Sequence, residues 1–182
     1  MATTRLTTIQ DLAQLGDEPG RYDLIRGELI HMSPAGARHG EIAMRVGYKL
    51  AAYADEQAAG VVYAAETGFV LARDPDVLLA PDVAFVRQGR LPHDDELDGF
   101  LEIAPDLVVE IVSPSDRLRD VSDKVMEYLN AGVGLVWVVE PRRKLVNVYL
   151  PDRTSRILTG DDELDGGDVL PGFRLALPEI FR

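Results

Sequence analysis

The spacing of apolar positions along the chain changes from period 3.6 to continuous apolar runs and back. Across residues 39–59, Ile42, Val46, Leu50 and Tyr53 recur at helical spacing and predict a long helix that Gly60 would stop. A second amphipathic pattern, Leu118, Val121, Val125, Tyr128 and Leu129, follows the cap-rich Ser113-Pro114-Ser115-Asp116 and should end near Gly132. Between and after these helices lie a β-rich run over residues 61–71 and short apolar runs at 83–86, 107–112 and 135–139. A polar loop over residues 88–100 divides the middle pair. Upstream, residues 8–15 read as a short helix with a threonine cap, and residues 22–25 and 28–31 as a hairpin turning at Arg26-Gly27. Residues 145–150 predict an outer strand, and the tail over 170–181 is expected to close over an edge of the sheet.

Strand 107–112, the helix after it and strand 135–139 fit within about 35 residues, the dimensions of a βαβ unit, so those two strands should run parallel. The order hairpin, helix, three strands, helix, strand describes a mixed α/β layer. At 182 residues and 46% hydrophobic, the chain can bury one good core and is too short for two ordinary domains, so residues 1–182 are expected to form one domain.

Composition narrows the chemistry. The chain has no cysteine, which excludes disulfides, thiolate metal sites and a cysteine nucleophile, and fits a reducing compartment; bacterial cytoplasm is the expectation. The first residues lack a signal-peptide core and no apolar run approaches the roughly 20 residues of a membrane helix, so no membrane association is expected. A formal net charge of -12 argues against a protein that coats nucleic acid, although charge near a site matters more than the sum. The acidic segments Asp94-Asp95-Glu96 with Asp98, and residues 161–168, read as solvated loops. The three histidines are too scattered for a zinc motif, and no phosphate loop or nucleophile elbow is present.

One position breaks the pattern. Glu110 interrupts Leu107, Val108, Val109, Ile111 and Val112 in a strand that otherwise looks buried on both faces, where an unpaired carboxylate costs several kcal/mol or is forced neutral. Asp106 lies on the same strand about 13 Å away, too far to share a small cation with it. Asp82 opens a neighbouring predicted strand about 4.8 Å distant, close enough for the two carboxylates to converge. Such a pair repels unless it shares a proton or a cation. Magnesium, which takes one or two carboxylates plus waters and phosphate oxygens, answers both the repulsion and the burial, with the carbonyl of Val112 as a third oxygen. A cation for the nucleophile or the phosphate is then needed. Lys124 falls about 80° from the centre of its helix's apolar stripe, at the border of the sheet-facing side. Its ammonium either reaches the mouth of the site or snorkels to water. Arg38, Arg45 and Lys49 share one stripe of the first long helix, either a phosphate-binding stripe or a solvated face.

Asp82 behind a proline, Glu110 in "VVEIVSPSD", Lys124 in "DKVMEYLNAGVGLVWVVEP", the tail "DVLPGFRLALPEIF" and the opening "YDLIRGELIHMSP" followed by His39 together resemble the Uma-type restriction endonuclease-like family of the PD-(D/E)XK nuclease superfamily. The resemblance covers nearly the whole chain. It implies a restriction endonuclease-like αβββαβ core, a mixed sheet flanked by helices, with an N-terminal helix and β-hairpin added. It also implies a Mg2+- or Mn2+-dependent endonuclease acting on DNA, with Asp82 and Glu110 as metal ligands. The superfamily lysine two residues after the glutamate is here Val112, and the resemblance transfers its role to Lys124. Glu28 either supplies, by the same resemblance, a further acidic group near the metal or faces solvent on its strand, and His39, at the start of the first long helix, either contacts phosphate or water or is a surface or capping residue. A homodimer is expected, because cutting both strands needs two sites. The alternative is a weak or inactive relative that keeps the fold as a module binding nucleic acid or a protein partner.

Overall fold

The computed structural model describes residues 7–14, 21–94 and 97–182. The expected helix end at Leu15 and the acidic Asp95 and Glu96 lie outside the described residues. A short helix α1 (Ile9–Gln14) precedes the hairpin β1 (Arg21–Ile25) and β2 (Glu28–Met32). Thr8 caps α1 as expected: its Oγ1 accepts the Asp11 N–H while the Asp11 carboxylate accepts the Thr8 N–H. The hairpin turns on Arg26 and Gly27, both at positive φ, the geometry of a type I′ two-residue turn.

The long helix α2 (Ala37–Gln57) buries Ile42, Val46, Leu50 and Ala54 on one stripe. Gly60 does not stop it. The left-handed residue is Ala58, whose N–H returns to the carbonyls of Ala54 and Asp55, and Gly60 already belongs to β3 (Gly60–Ala64). A Cβ at Gly60 would meet the Val86 carbonyl at 2.0 Å, so this glycine serves a close approach of two strands.

The run over residues 61–71 divides in two, because Glu66 adopts positive φ and reverses the chain. After that turn come β4 (Phe69–Ala72) and β5 (Val77–Leu79), then β6 (Val83–Arg87), β7 (Leu107–Ile111), helix α3 (Leu118–Asn130), β8 (Leu135–Glu140), β9 (Leu145–Tyr149) and β10 (Ser155–Thr159). A small ladder of β11 (Glu163–Asp165) and β12 (Arg174–Ala176) leads to a closing turn of helix, α4 (Leu177–Ile180).

The central six-stranded sheet runs β10-β9-β8-β7-β6-β3. β7 and β8 pair in parallel, the relation expected of a βαβ unit, while the other ladders are antiparallel. Helix α2, strands β3, β6 and β7, helix α3 and β8 give the αβββαβ order of a restriction endonuclease-like core. β4 and β5 leave that order to join β1 and β2 in a second, four-stranded sheet, β2-β1-β5-β4. β9 is an inner strand, since β10 pairs along its outer side. The C-terminal tail does more than close an edge: Leu164, Leu170, Phe173, Leu175, Leu177 and Ile180 share one core with α2 and one face of the central sheet. Leu164 anchors the acidic stretch that had read as a solvated loop. Among the described residues, no helix is long and apolar enough to cross a membrane.

Candidate active site

β7 alternates as a strand must. Leu107, Val109 and Ile111 enter the core beneath α2 and the tail, whereas Val108 packs with Val125 and Tyr128 of α3 and with Val77 and Leu79 of β5. Glu110 points to that second face and is buried, with 9% of its surface exposed. Its compensation comes from α3. The Tyr128 hydroxyl donates to Glu110 Oε1 at 2.5 Å, and the Lys124 ammonium stands 3.8 Å from Oε2. Lys124 is itself buried rather than snorkelling, and its closest anion is Asp23 on β1, Oδ2 at 2.6 Å. Asp23 Oδ1 accepts the Ala80 N–H at 3.1 Å, which ties the hairpin to the chain just ahead of Pro81-Asp82.

Asp82 lies one residue before β6. The β6–β7 register sets Val83 against Val109, so continuing it by one step sets Asp82 across from Glu110. Asp82 Oδ2 accepts the Ile111 N–H at 2.7 Å, in place of a ladder carbonyl, and faces His39 Nε2 at 3.1 Å. Two hydrogen-bonded elements, the end of β7 and the start of α2, therefore fix this carboxylate.

The electrostatics follow from three carboxylates packed around one ammonium and one imidazole. Burial pushes the Glu110 carboxyl up to about 7, against the opposing pull of Lys124, and the neighbouring Asp82 and Asp23 push the same way as burial. Burial pulls the Lys124 ammonium down, but Glu110 and Asp23 outweigh it and hold its pKa above the ordinary lysine range. The hydrogen bond to Asp82 raises His39 against the effect of its partial burial. Burial raises the Tyr128 phenol well above its usual value, so at neutral pH it remains a donor.

Asp82, Glu110, Val112, Lys124 and His39, singled out in the sequence, all line one cavity of about 220 Å³, together with Asp23. The other candidates lie elsewhere. Glu28 is exposed and sits opposite Ile25 at the turn of the hairpin, away from the cavity lining; the hairpin carboxylate that reaches the site is Asp23. The basic stripe of α2 is also outside the lining. Arg45 binds Glu41 and the carbonyl of Ile180, Lys49 binds Glu179 at 2.6 Å, and Arg38 is exposed at the helix start. These basic groups are partly spent on the acidic C-terminal tail because that tail packs against α2. The Ser113–Asp116 cluster bonds within itself, Ser113 N–H to Asp116 Oδ2 at 2.7 Å, and Arg117, at the N-cap of α3, makes no side-chain cap.

Two members of the site, Asp23 and Tyr128, were not singled out in the sequence. Asp23 carried the signal used for Glu110, an acid beside apolar strand residues, but the strand pairing that buries it, β1 with β5, depends on a three-residue strand too short to read. Tyr128 looked like core, which its ring is.

The donor set can be tested against a divalent metal. Among the described residues no three His, Cys, Asp or Glu side chains converge as a cage. What is present, two hard carboxylates in a negatively biased cavity, fits magnesium or manganese completed by water and phosphate oxygens, and does not fit a closed structural site.

A family model described as "Uma2: Putative restriction endonuclease" matches residues 9–178. No curated protein matches the chain. Among solved structures, the crystal structure of a nuclease, titled putative and assigned to DUF820, from Anabaena variabilis is similar with a TM-score of 0.84 at 20% identity, covering 96% of this chain and 97% of that one. That likeness is one of fold.

Proposed function

Because the chain belongs to the Uma2 family, a restriction endonuclease-like family, we propose that it is an endonuclease that hydrolyses phosphodiester bonds in DNA with magnesium or manganese. The observation that carries this reading is the meeting of Asp82, Glu110 and Lys124, from three separate elements, in one cavity. Asp82 and Glu110 would hold the ion, with the Val112 carbonyl as a further oxygen. When bound, such an ion activates water and stabilises the extra negative charge of a phosphodiester transition state. Lys124 supplies an ammonium that stays charged at neutral pH, either to neutralise the scissile phosphate or to orient the attacking water. His39 holds Asp82 in place from the start of α2. A homodimer would bring one such site to each DNA strand.

A second reading has its own observation in favour. Every charged member of the cluster already has a partner within the chain, the arrangement of a polar network that sets a core and does no chemistry. On that reading the protein is a nuclease-fold module that binds nucleic acid or a protein.

Purified protein with supercoiled DNA and Mg2+ or Mn2+, beside Glu110→Ala and Lys124→Ala, separates the two. The nuclease reading expects metal-dependent nicking that falls at least about a hundredfold in each variant, the scale of losing one electrostatic group at a reacting centre. Nicking that persists in both variants is a contaminant's. DNA binding without nicking supports the module.

A further inference from the structure

We propose that Asp23 is a positioning residue: it holds the Lys124 ammonium in the cavity beside Glu110, which makes the N-terminal hairpin a working part of the site and not merely a cover over it. Only the kinetic part of this proposal rests on the nuclease reading. Lys124 projects from a helix on a long flexible stem, and a lysine so placed has many rotamers to lose before its charge is useful. The distances say what confines it. Asp23 Oδ2 is at 2.6 Å and Glu110 Oε2 at 3.8 Å, so the primary counter-ion is the hairpin carboxylate. Without it the ammonium would keep only the more distant Glu110 oxygen and would be free to leave its place beside the carboxylates. Asp23 is in turn held rigid, 1% exposed and fixed through its other oxygen to the Ala80 N–H.

A simple tether between hairpin and α3 is a different role, and other groups already fill it. Arg26 binds Glu127 of α3 at 2.6 Å, and Ile25 packs against the cluster that holds Val125 and Tyr128 of α3. Arg26→Ala is therefore the control that loosens the tether and leaves Lys124 its partner.

The chain has three lysines, Lys49, Lys124 and Lys144, so each amine can be followed by mass spectrometry during acylation with limiting amine-reactive reagent. In the wild type Lys124 should react slowest. In Asp23→Asn its rate relative to Lys144 should rise at least about tenfold, the scale of losing one hydrogen bond to a charged group. Asp23→Glu should restore most of the protection, and Arg26→Ala should leave it unchanged. With DNA and metal, Asp23→Asn should lower kcat about 10- to 100-fold, the usual scale for a supporting partner, with KM within about twofold. Unchanged acylation of Lys124 in folded Asp23→Asn, or an equal rise in Arg26→Ala, overturns the proposal. If Asp23→Asn does not fold, Asp23→Asn combined with Lys124→Met decides: a double variant that folds shows that Asp23 matters through the lysine, and one that stays unfolded shows that it does not. A wild type that cuts no DNA removes the nuclease reading alone, because acylation still reports on Asp23.

Discussion

The two faces of the central sheet are built from the same strands and solve opposite problems. Beneath α2 and the tail, β7 and β8 present Leu107, Val109, Ile111, Leu135, Trp137 and Val139 to a dry core, with Trp137 stacked on Phe173 at 5.9 Å between ring centroids. On the other face, one residue along, Glu110 enters an environment with Lys124, Tyr128 and, across from it, Asp23. A carboxylate is tolerated at 110 and would not be at 109 because only that face has the charged edge of the hairpin and a polar edge of α3 to answer it. The difference teaches that the N-terminal hairpin completes the site, since the αβββαβ core alone leaves Lys124 without its closest anion.

The largest break of this comparison is to move the charge by one residue. In Val109→Glu the carboxylate would enter a cluster of apolar side chains that holds no cation, and an unpaired buried charge costs several kcal/mol even after relaxation. No cooperative unfolding transition is expected at pH 7 by circular dichroism. A folded Val109→Glu protein at that pH would show that the dry face is less dry than its packing indicates. Next in size, Trp137→Ala should remove about 3–5 kcal/mol in chemical denaturation by emptying the centre of the same core. Trp137→Phe should lose less, since the indole Nε1 is buried with no hydrogen-bond partner among the described residues and its removal leaves nothing unpaired.

How far the sequence revealed these faces depends on what kind of signal each carried. Helix α2, the hairpin and the parallel β7–β8 pair were legible because a long period, a two-residue Arg-Gly turn and a short βαβ spacing are local. Glu110 was legible as a contradiction, an acid in a fully apolar strand, and Lys124 as a residue at the border of a stripe. The second sheet was not, since β5 has three residues between prolines and its pairing with β1 is decided by tertiary packing. With that sheet unseen, Asp23 could not be placed, and Glu28, on the same hairpin but exposed at its turn, took its place in the reading. The partners of Arg45 and Lys49 were hidden for a similar reason: the tail that carries Glu179 lies against α2 from more than a hundred residues away.

A smaller effect probes the polar face through pH. The Glu110 carboxyl is held up to about 7 in the folded protein against an ordinary value of 4.5. Between those values the native state binds the proton that the unfolded chain has released, so this group's contribution is complete below about pH 4.5 and is lost as pH rises through 7. Lys124 stays charged across that window. With chelator present, wild type should therefore lose stability relative to Glu110→Gln from pH 4.5 to 7, measured as the difference between their denaturation midpoints. A constant difference would mean that Lys124 and Tyr128 already hold Glu110 ionised throughout.

The smallest effect concerns the single hydroxyl that ties the core of α3 to the charged cluster. Tyr128 is fully buried among apolar groups, so Tyr128→Phe keeps the ring packing and removes only the donor to Glu110 Oε1. A hydrogen bond to a charged group contributes about 1.5–3 kcal/mol, and one to a neutral group about 0.5–1.5. The hydroxyl favours the ionised carboxylate, so deleting it should raise the Glu110 pKa further and make the loss depend on pH. Chemical denaturation should show Tyr128→Phe about 1–2 kcal/mol less stable than wild type at pH 8, where Glu110 is ionised, and clearly less affected at pH 5, where the carboxyl carries its own proton. Equal losses at the two pH values would assign the hydroxyl to packing and separate Tyr128 from the chemistry of the face it completes.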